Sequence, residues 1–457
     1  MKEMVEKLKE IITQSDRVWL EQIEETYYSD HLARIKVRPA AVVKVVSTEE
    51  VSAVLRFAYE NSIPVIPRGA NTGLTGATIP VEGSIVLDLT LLNHIIDLDK
   101  ETFTLTVEAG VLLEELQQFV EGEGLFYPPD PGEKQATIGG NISTNAGGMR
   151  AVKFGVTRDY VRGLEVVLAN GEILNLGANT IKNSSGLDIK DLIIGSEGTL
   201  AVVTKAYLKV IPKPKYSVSI LASFEALDKG IDTVLQILGA NVDATAIEFI
   251  EKRAVALSEN YLGLKFPSQI GEAYLLFTLD GETQEEVERR ADKIEVICKE
   301  KGALEVLLLE DEEAAQTTWK IRGAIVTAIE AKSQQEPIDI VVPINRSAEF
   351  VKFTKEVSRT YEIDIQNFGH AGDGNVHLCI IKGDLEENQW QERLEQVLYA
   401  IYKKASELKG LPSGEHGIGL TKKKYYLEYA DEHEITLMRS IKAAVDPKHI
   451  LNPNKVF

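Results

Sequence analysis

The sequence predicts an α+β protein of two or three domains. The chain has 457 residues, which is too long for one ordinary core. Strand-like apolar runs are interleaved with stretches of helical periodicity along the chain. The dipeptide Asn170-Gly171 lies between the apolar runs LEVVLA and EILNL and is a strong β-hairpin signal. The predicted sheet is therefore at least partly antiparallel.

Two helices and four strands are predicted in the first part of the chain. Ser47 and Glu50 have the spacing of a capping box, and apolar residues recur at helical spacing after them, which predicts a helix over 48–60. Apolar or alternating runs predict strands over 63–66, 85–89, 95–98 and 103–107. A second helix is predicted over 111–120.

Proline and lysine cluster in IPKPKY, residues 211–216, and the density of glycine falls after this point. This pattern indicates a domain boundary. From 216 to about 365, strands such as YSVSILASF, EAYLLFTLD and LEVLLLE alternate with charged helical stretches, which is typical of an α+β sandwich. From residue 388 onward the pattern is mostly helical.

Composition excludes several classes of function. A formal net charge of −20 disfavours binding to nucleic acid or anionic lipid. The N-terminal MKEMVEKLKEII has the pattern of a surface helix and not of a signal peptide, and no run of about 18 apolar residues predicts a transmembrane helix. Cys298 and Cys379 are the only cysteines, too few for an iron–sulfur cluster or a disulfide framework. We therefore expect a cytoplasmic protein.

Three glycine-rich passages suggest a nucleotide site. They are PRGANTGLTGA at 67–77, PPDPGEKQATIGGNISTNAGG at 128–148 and GSEGTLAVVT at 195–204, called below the first, second and third passages. Glycine lets backbone N–H groups approach a pyrophosphate closely. One such cluster alone is more often a turn, but three in one domain favour nucleotide binding. Neither GxxxxGK[ST] nor GxGxxG occurs, which argues against a P-loop and against an ordinary NAD-binding unit.

Two further glycine-rich segments, GHAGDGNVH and SGEHGIG, carry His370, His377, Glu415 and His416. Imidazoles and a carboxylate in flexible backbone indicate a metal site with a base beside it. The alternative is that the first two histidines are polar residues of an ordinary turn. FGHAGDGNVHLCII reads as strand, tight turn and strand, so both imidazoles can face one cavity. Zinc, manganese, iron or cobalt would suit such ligands.

The order of these motifs, ending in LNPNK, resembles that of the FAD-linked D-2-hydroxyacid dehydrogenases. This group of the vanillyl-alcohol oxidase superfamily includes D-lactate dehydrogenases, glycolate oxidase catalytic subunits and D-2-hydroxyglutarate dehydrogenases. The resemblance runs from about residue 39 to the C-terminus. It implies an N-terminal helical extension (1–36), a two-subdomain FAD-binding domain (37–215), an α+β substrate or cap domain with the metal site (216–415), and a helical C-terminal segment that returns to the flavin (416–457).

The resemblance also implies which residues bind FAD. They are Arg68, Gly69, Asn71, Thr72, Gly73, Leu74, Gly76 and Ala77 in the first passage, Pro131, Thr137, Ile138, Gly139, Asn141, Asn145, Gly147 and Gly148 in the second, Glu197, Gly198 and Val202 in the third, and Asn452. Relatives with covalent flavin often use a histidine in the first passage. This passage has none, so we expect noncovalent FAD.

Catalytic roles follow from the same resemblance. His370, His377 and Glu415 match the ligands of a divalent metal, and His416 matches the general base. Arg322 matches an arginine that binds the substrate carboxylate, although a solvated helix arginine is the alternative. Asn375 is expected to add a hydrogen bond to the substrate.

The expected substrate is a small D-2-hydroxy acid, D-lactate first and glycolate second. Relatives that accept 2-hydroxyglutarate carry polar groups where Val326 and Pro337 stand here, which weakens but does not exclude that substrate. A flavin-dependent non-redox enzyme of the same superfamily and a metallohydrolase are alternatives from other classes. The chain has no group to carry electrons away, so an external acceptor is expected. The second passage looks particularly like that of lactate dehydrogenase subunits linked to electron-transfer flavoprotein, and an iron–sulfur subunit is the other candidate.

Overall fold

The structure of the protein is a computed structural model that describes residues 2–457, apart from the side chains of 2–5 and 15. The chain forms two compact units. The first comprises Met1–Ala146, Val156–Lys213 and Glu415–Phe457, and the second comprises Gly147–Gly155 and Pro214–Gly414. The chain therefore leaves the first unit twice and returns to it both times. The sequence did not predict that Gly147–Gly155 belongs to the second unit.

Up to Lys213, short strands outnumber helices. The helices are α1 (Lys2–Ile11), α2 (Thr48–Glu60), α3 (Leu113–Gly122), α4 (Ile138–Thr144), α5 (Ala151–Phe154) and α6 (Ile189–Ile193). The strands are β1 (Val18–Trp19), β2 (Ala41–Lys44), β3 (Val65–Arg68), β4 (Ile85–Asp88), β5 (Ile95–Asp99), β6 (Thr104–Glu108), β7 (Leu125–Phe126), β8 (Val161–Val167), β9 (Ile173–Gly177), β10 (Val202–Lys209) and β11 (Ile211–Pro212).

After Lys213 the elements are longer. The strands are β12 (Tyr216–Phe224), β13 (Ala246–Glu251), β14 (Ala273–Gly281), β15 (Glu305–Leu309), β16 (Gln335–Val341), β17 (Asp364–His370) and β18 (Asn375–Ile381). The helices are α7 (Leu227–Gly239), α8 (Lys252–Leu262), α9 (Gln284–Glu300), α10 (Glu312–Gly323), α11 (Ile325–Glu330), α12 (Ser347–Thr360), α13 (Glu387–Glu407), α14 (Lys423–Tyr429) and α15 (Glu432–Val445). Within residues 2–457, no helix has both the length and the apolar content to cross a membrane.

Helix α2 has the bounds that its sequence predicts. The Ser47 hydroxyl accepts a hydrogen bond from the Glu50 N–H at 3.2 Å and so satisfies one of the first free amides of the helix. On the inner face, Val54 and Leu55 are fully buried and join one core with Val43 of β2 and Leu87 of β4. The capping signal and the apolar periodicity therefore predict the same helix, and the structure has it with the predicted bounds.

The first unit contains two main sheets. In the four-stranded sheet, with order β1-β2-β4-β3, β4 pairs in parallel with β2 and with β3, and β1 is antiparallel to β2. The five-stranded sheet, with order β5-β6-β10-β8-β9, is antiparallel throughout. The predicted Asn170-Gly171 hairpin is confirmed, because it joins the antiparallel strands β8 and β9 and Gly171 has a φ of +83°.

The second unit is built on one seven-stranded antiparallel sheet with order β15-β12-β14-β13-β17-β18-β16. The three strands predicted here from the sequence are β12, β14 and β15. The predicted strand, turn and strand around the histidines is the hairpin of β17 and β18. In its register Phe368 lies opposite His377, so His370, two residues after Phe368, projects from the same face as His377.

Candidate active site

The three glycine-rich passages line one cavity in the first unit. Fifteen of the twenty residues expected to bind FAD lie on its wall: Arg68, Gly69, Asn71, Thr72, Gly73, Leu74, Ala77, Pro131, Thr137, Gly139, Asn141, Glu197, Gly198, Val202 and Asn452. Glu415 and His416 lie on the same wall. The cavity therefore brings the expected base together with three passages that precede it by about 210 to 350 residues in the sequence.

Five residues expected to bind FAD do not line this cavity. Gly147 and Gly148 lie in the second unit. Ile138 is buried at the start of α4, and Asn145 is the left-handed cap at its end, where its Oδ1 accepts the Arg158 N–H at 2.9 Å. Gly76 donates its N–H to Asp30 Oδ2 at 3.0 Å. Asn145 and Gly76 thus stabilise their loops by hydrogen bonds without lining the cavity.

Close packing around the first two passages depends on glycine. An added Cβ at Gly69 would overlap the Thr137 side chain, and one at Gly139 would lie 2.8 Å from the Ala109 Cβ. The Thr137 hydroxyl also accepts the Gly140 N–H at 3.2 Å, which caps α4 and limits its freedom to move. The wall is therefore a cradle whose shape larger side chains at these positions would disturb.

Arg68 lines the cavity, but its guanidinium is already engaged. Only 5% of the residue is exposed, Nη1 donates to the Ser29 carbonyl at 3.1 Å, and Nη2 donates to the Thr26 carbonyl. The group also lies 4.8 Å from the centre of the Tyr27 ring. Burial lowers the pKa of Arg68 below its usual value. Its hydrogen-bond donors thus hold the chain before β2, and what remains for a ligand is mainly its charge.

Asn452 presents a buried acceptor at the cavity. Its Nδ2 donates to the carbonyls of Ala77 at 3.0 Å and Glu197 at 2.7 Å, which fixes the orientation of the amide. Within residues 2–457, its buried Oδ1 has no hydrogen-bond partner. A buried acceptor without a partner costs free energy, so a ligand N–H or O–H at this point would be stabilised.

His416 and Glu415 begin the segment that returns to the first unit. The His416 Nε2 lies 3.6 Å from the nearer Glu415 carboxylate oxygen. Both side chains are partly exposed, and both line the cavity. The imidazole is therefore accessible to a small molecule that enters the cavity.

In the second unit, His370 and His377 form a buried pair. Their Nε2 atoms lie 3.2 Å apart, and the rings are perpendicular with centres 4.9 Å apart. Both side chains are less than one-tenth exposed. The hairpin of β17 and β18 thus points two imidazole nitrogens at one place. Glu415 belongs to the first unit, and its place as third ligand stays a prediction.

Glu248 of β13 is a functional candidate that was not predicted from the sequence. Its side chain is fully buried, Oε1 lies 2.6 Å from His370 Nδ1, and Oε2 accepts from Arg322 Nε at 2.8 Å and pairs with Nη2 at 2.6 Å. Burial alone would raise the pKa of Glu248, but His370 and Arg322 outweigh burial and lower it. The available signal was an acidic residue in the apolar strand AIEFIE, because a buried carboxylate needs partners.

Arg322 is buried and not a solvated helix residue. Its Nε and Nη2 edge is bound to Glu248, and its guanidinium lies 5.0 Å from the centre of the Phe368 ring. Among the described residues, Nη1 has no partner, so only the Nη1 and Nη2 end of the fork is open to a ligand. The sequence predicts an arginine available for the substrate, and the structure leaves only one edge of its guanidinium available.

Asn375 has both amide protons engaged. Its Nδ2 donates to Asp339 Oδ1 at 2.6 Å and to the Ile340 carbonyl at 3.0 Å. Asp339 also accepts from the Ser413 hydroxyl at 2.7 Å and from the Gly414 N–H at 3.0 Å. Asn375 therefore keeps only its carbonyl oxygen for a substrate, and Asp339 anchors the residues directly before Glu415.

Comparison with known proteins agrees with this geometry. Residues 39–177 match the family described as FAD binding domain, and 213–456 match FAD linked oxidases, C-terminal domain. The chain is 43% identical to the D-lactate dehydrogenase of Anaerostipes hadrus, over 99% of this chain and 97% of that protein. It is 40% identical to glycolate oxidase subunit GlcD of Bacillus subtilis, over 94% of this chain and 92% of that protein.

The fold is also found in solved structures. That of p-cresol methylhydroxylase is 18% identical and superposes with a TM-score of 0.83, covering 100% of this chain and 96% of that one. This likeness confirms the expected fold of the vanillyl-alcohol oxidase type. The two matching family models show that the chain belongs to the FAD-linked oxidases and is an oxidoreductase with an FAD-binding domain.

Proposed function

We propose that the protein oxidises a small D-2-hydroxy acid to a 2-oxo acid with noncovalent FAD as oxidant. D-lactate is the first candidate, with pyruvate as product, and glycolate is the second. The observation that carries the proposal is that His416 lies on the wall of the cavity formed by the three glycine-rich passages. The similarity to a D-lactate dehydrogenase and to a glycolate oxidase subunit supports the substrate class.

The cavity residues fit FAD. The glycines leave room for a pyrophosphate against the backbone, and Asn452 Oδ1 offers a buried acceptor for a donor of the cofactor. No histidine of the first passage is present for a covalent bond, which supports noncovalent binding. When bound, FAD supplies a flavin ring that accepts the two electrons and the hydrogen of the substrate C2–H bond.

The histidine pair fits a divalent metal. If Nδ1 of His370 donates to Glu248, Nε2 carries the lone pair that a metal requires. Nε2 of His377 faces the same point, and Gly414, the residue before Glu415, is bound to Asp339 in the same unit. We assign His370, His377 and Glu415 as ligands of zinc, manganese, iron or cobalt. Such an ion would supply a Lewis acid that lowers the pKa of the substrate hydroxyl.

The chain's own residues divide the remaining work. We assign the His416 imidazole as the general base that takes the hydroxyl proton as the C2–O bond becomes a carbonyl. The open end of the Arg322 fork suits the two oxygens of the substrate carboxylate. Val326 and Pro337 offer no polar group for a second carboxylate, which favours a monocarboxylate over D-2-hydroxyglutarate.

The electrons must leave through a partner. Cys298 and Cys379 are the only cysteines of the sequence, too few to hold an iron–sulfur cluster. We propose electron-transfer flavoprotein as the acceptor and an iron–sulfur subunit as the alternative. Copurification from the native host tests this step, and isolation with neither partner would contradict it.

Anaerobic titration tests the central proposal. The purified, FAD-loaded protein is mixed with D-lactate, L-lactate, glycolate or D-2-hydroxyglutarate, and flavin absorbance is followed. D-lactate should bleach the flavin fastest, and the L isomer should not bleach it. If none of the four acids bleaches the flavin, the proposed substrate class is wrong.

A substitution tests the base. His416→Ala should keep FAD and metal bound but lose rapid reduction by substrate, whereas His433→Ala, an exposed histidine of the same unit, should behave like the unchanged protein. Rapid reduction in His416→Ala would exclude His416 as the base.

A further inference from the structure

One buried carboxylate of the third passage holds the loop that carries His416. Glu197 Oε1 accepts the Ile418 N–H at 2.7 Å, and Oε2 accepts the Gly419 N–H at 2.9 Å. The carboxylate thus binds the backbone two and three residues after His416.

A second anchor for the same loop comes from the first passage. The Thr75 carbonyl accepts the N–H groups of Leu420 at 2.8 Å and Thr421 at 3.0 Å. The Thr75 hydroxyl lies 3.3 Å from the His416 carbonyl and donates to it. The loop is therefore held on both sides of Gly417 by residues of the glycine-rich passages.

The approach of Glu197 requires glycine in the loop. Gly417 has a φ of +81°, which disfavours other residues, and an added Cβ would lie 2.8 Å from the Glu197 carboxylate. The glycine directly after His416 therefore allows the carboxylate to lie against the backbone.

Glu197 is also tied to two other parts of the cavity wall. Its backbone N–H donates to the Ser143 carbonyl at 2.8 Å, and its carbonyl accepts from Asn452 at 2.7 Å. Its own φ is +52°, an uncommon value for a residue with a side chain. One residue thus joins the second passage, the third passage, the His416 loop and the C-terminal segment.

Burial disfavours the ionised form of the Glu197 carboxylate. Only 6% of Glu197 is exposed, and burial raises its pKa to about 7 despite the two N–H donors and the charges of Lys422 and Lys455. An ionised group in such surroundings costs free energy on folding. The two short hydrogen bonds from the Ile418 and Gly419 N–H groups fix the geometry of the loop.

We propose that Glu197 is a positioning residue for the reaction: its carboxylate sets the place of His416 in the cavity. The assignment rests on the proposed role of His416 as base. It predicts that the base is placed by the same passages that form the cofactor cavity, so a change at Glu197 reaches the chemistry through the loop and without contact to substrate.

Glu197→Gln tests the proposal in the FAD-loaded protein. The glutamine side chain has the same shape, but its NH2 group would face one of the two backbone N–H groups that Glu197 accepts. Two donors cannot form a hydrogen bond with each other, so the loop must shift. A misplacement of about 1 Å can slow a reaction about 100-fold, and we expect a loss of this order in the rate of flavin reduction, in kcat more than in KM. The solvent deuterium isotope effect on reduction should rise as proton transfer becomes limiting. Glu197→Asp, which keeps the charge, should recover part of the rate.

Two further variants make the result decisive. Glu50→Gln alters a carboxylate of the same unit that accepts the Val46 N–H at 2.9 Å and lies away from the cavity, and it should reduce flavin at the original rate. Gly417→Ala presses on the carboxylate from the loop side and leaves Glu197 in place, and it should slow reduction with FAD retained. If Glu197→Gln loses FAD, Gly417→Ala decides the matter. An unchanged rate with FAD bound in either variant overturns the proposal.

A readout without substrate separates this inference from the proposed function. Reaction of His416 with diethyl pyrocarbonate can be followed by mass spectrometry of the peptide that contains it. The reaction rate should change in Glu197→Gln and stay the same in Glu50→Gln, even if none of the four hydroxy acids proves to be a substrate. Unchanged reactivity of His416 in Glu197→Gln would show that the carboxylate does not place the imidazole.

Discussion

The Glu248 carboxylate lies 2.6 Å from His370 Nδ1 and binds Arg322 with its other oxygen. One buried group thus connects an expected metal ligand with the arginine expected to bind the substrate carboxylate. Removal of His370 or Arg322 would leave the buried Glu248 carboxylate with only one of its two partners. The three side chains therefore depend on each other. This dependence leads to separate predictions for the metal and for the substrate.

Glu248→Gln should weaken metal binding. An amide carries no charge to compensate Arg322, and loss of the carboxylate behind a metal-bound histidine costs about 10- to 100-fold in metal affinity. Titration of the metal-free protein with Zn²⁺ measures the effect. Glu251→Gln, in the same strand, is the control, because Glu251 binds the Asn367 N–H at 3.0 Å and lies 3.2 Å from Lys355. Equal affinity in the two variants would contradict the prediction.

Arg322→Lys should impair substrate binding with FAD retained. A lysine keeps the charge but cannot present two parallel N–H groups to a carboxylate. Loss of one charged hydrogen bond costs about 1.5–3 kcal/mol, so kcat/KM for D-lactate should fall about 10- to 100-fold, mainly through KM. Steady-state kinetics measure this, with Arg253→Lys at an exposed ion pair as the control. An unchanged KM would exclude Arg322 as the carboxylate ligand.

Gly69→Ala should reduce FAD binding. The new methyl group overlaps Thr137, and overpacking of this kind costs about 1–3 kcal/mol. The fraction of flavin that stays with the protein during gel filtration should therefore fall. Gly122→Ala, at the end of α3, places its methyl group in open space and should retain FAD fully. If both variants keep FAD equally, the two passages do not form the cradle inferred from their packing.

Stability should depend on pH through Glu197. Its pKa is about 7 in the folded protein against an ordinary 4.5, so folding favours the protonated form. The stability from this group is fully present below about pH 4.5 and is lost as pH rises through about 7, a change of about 3 kcal/mol. Denaturant unfolding at several pH values should show that Glu197→Gln lacks this part of the pH dependence. Parallel curves for the two proteins would contradict the raised pKa.

The sequence predicts local structure well where two signals agree. Helix α2 has the predicted bounds because the cap and the apolar face coincide. The strand predicted over 63–66 is β3, Val65–Arg68, because pairing of Val65 with Ile85 sets its start, and periodicity cannot show which residues pair. The helix predicted over 111–120 likewise shifts to Leu113–Gly122.

The sequence predicts the parts of the candidate site that lie in motifs. It does not predict the parts that depend on contacts between residues distant in the sequence. The glycine-rich passages and His416 line one cavity, as their pattern suggested. The position of Glu248 was not predictable, since its partners Arg322 and His370 lie 74 and 122 residues away in sequence. The contact with Glu248 also occupies the Nε and Nη2 edge of Arg322, and this too was not predictable because the two residues are distant in the sequence.

The division of the chain has a consequence for biosynthesis. Residues 415–457 complete the first unit, in which the Val65 N–H donates to the Ile450 carbonyl at 2.8 Å and the Val65 carbonyl accepts the Asn452 N–H at 2.8 Å. They follow the whole of Pro214–Gly414, so the ribosome makes the second unit before the first can close. The cavity residues Glu415, His416 and Asn452 can therefore join the rest of the cofactor cavity only after the second unit has been translated.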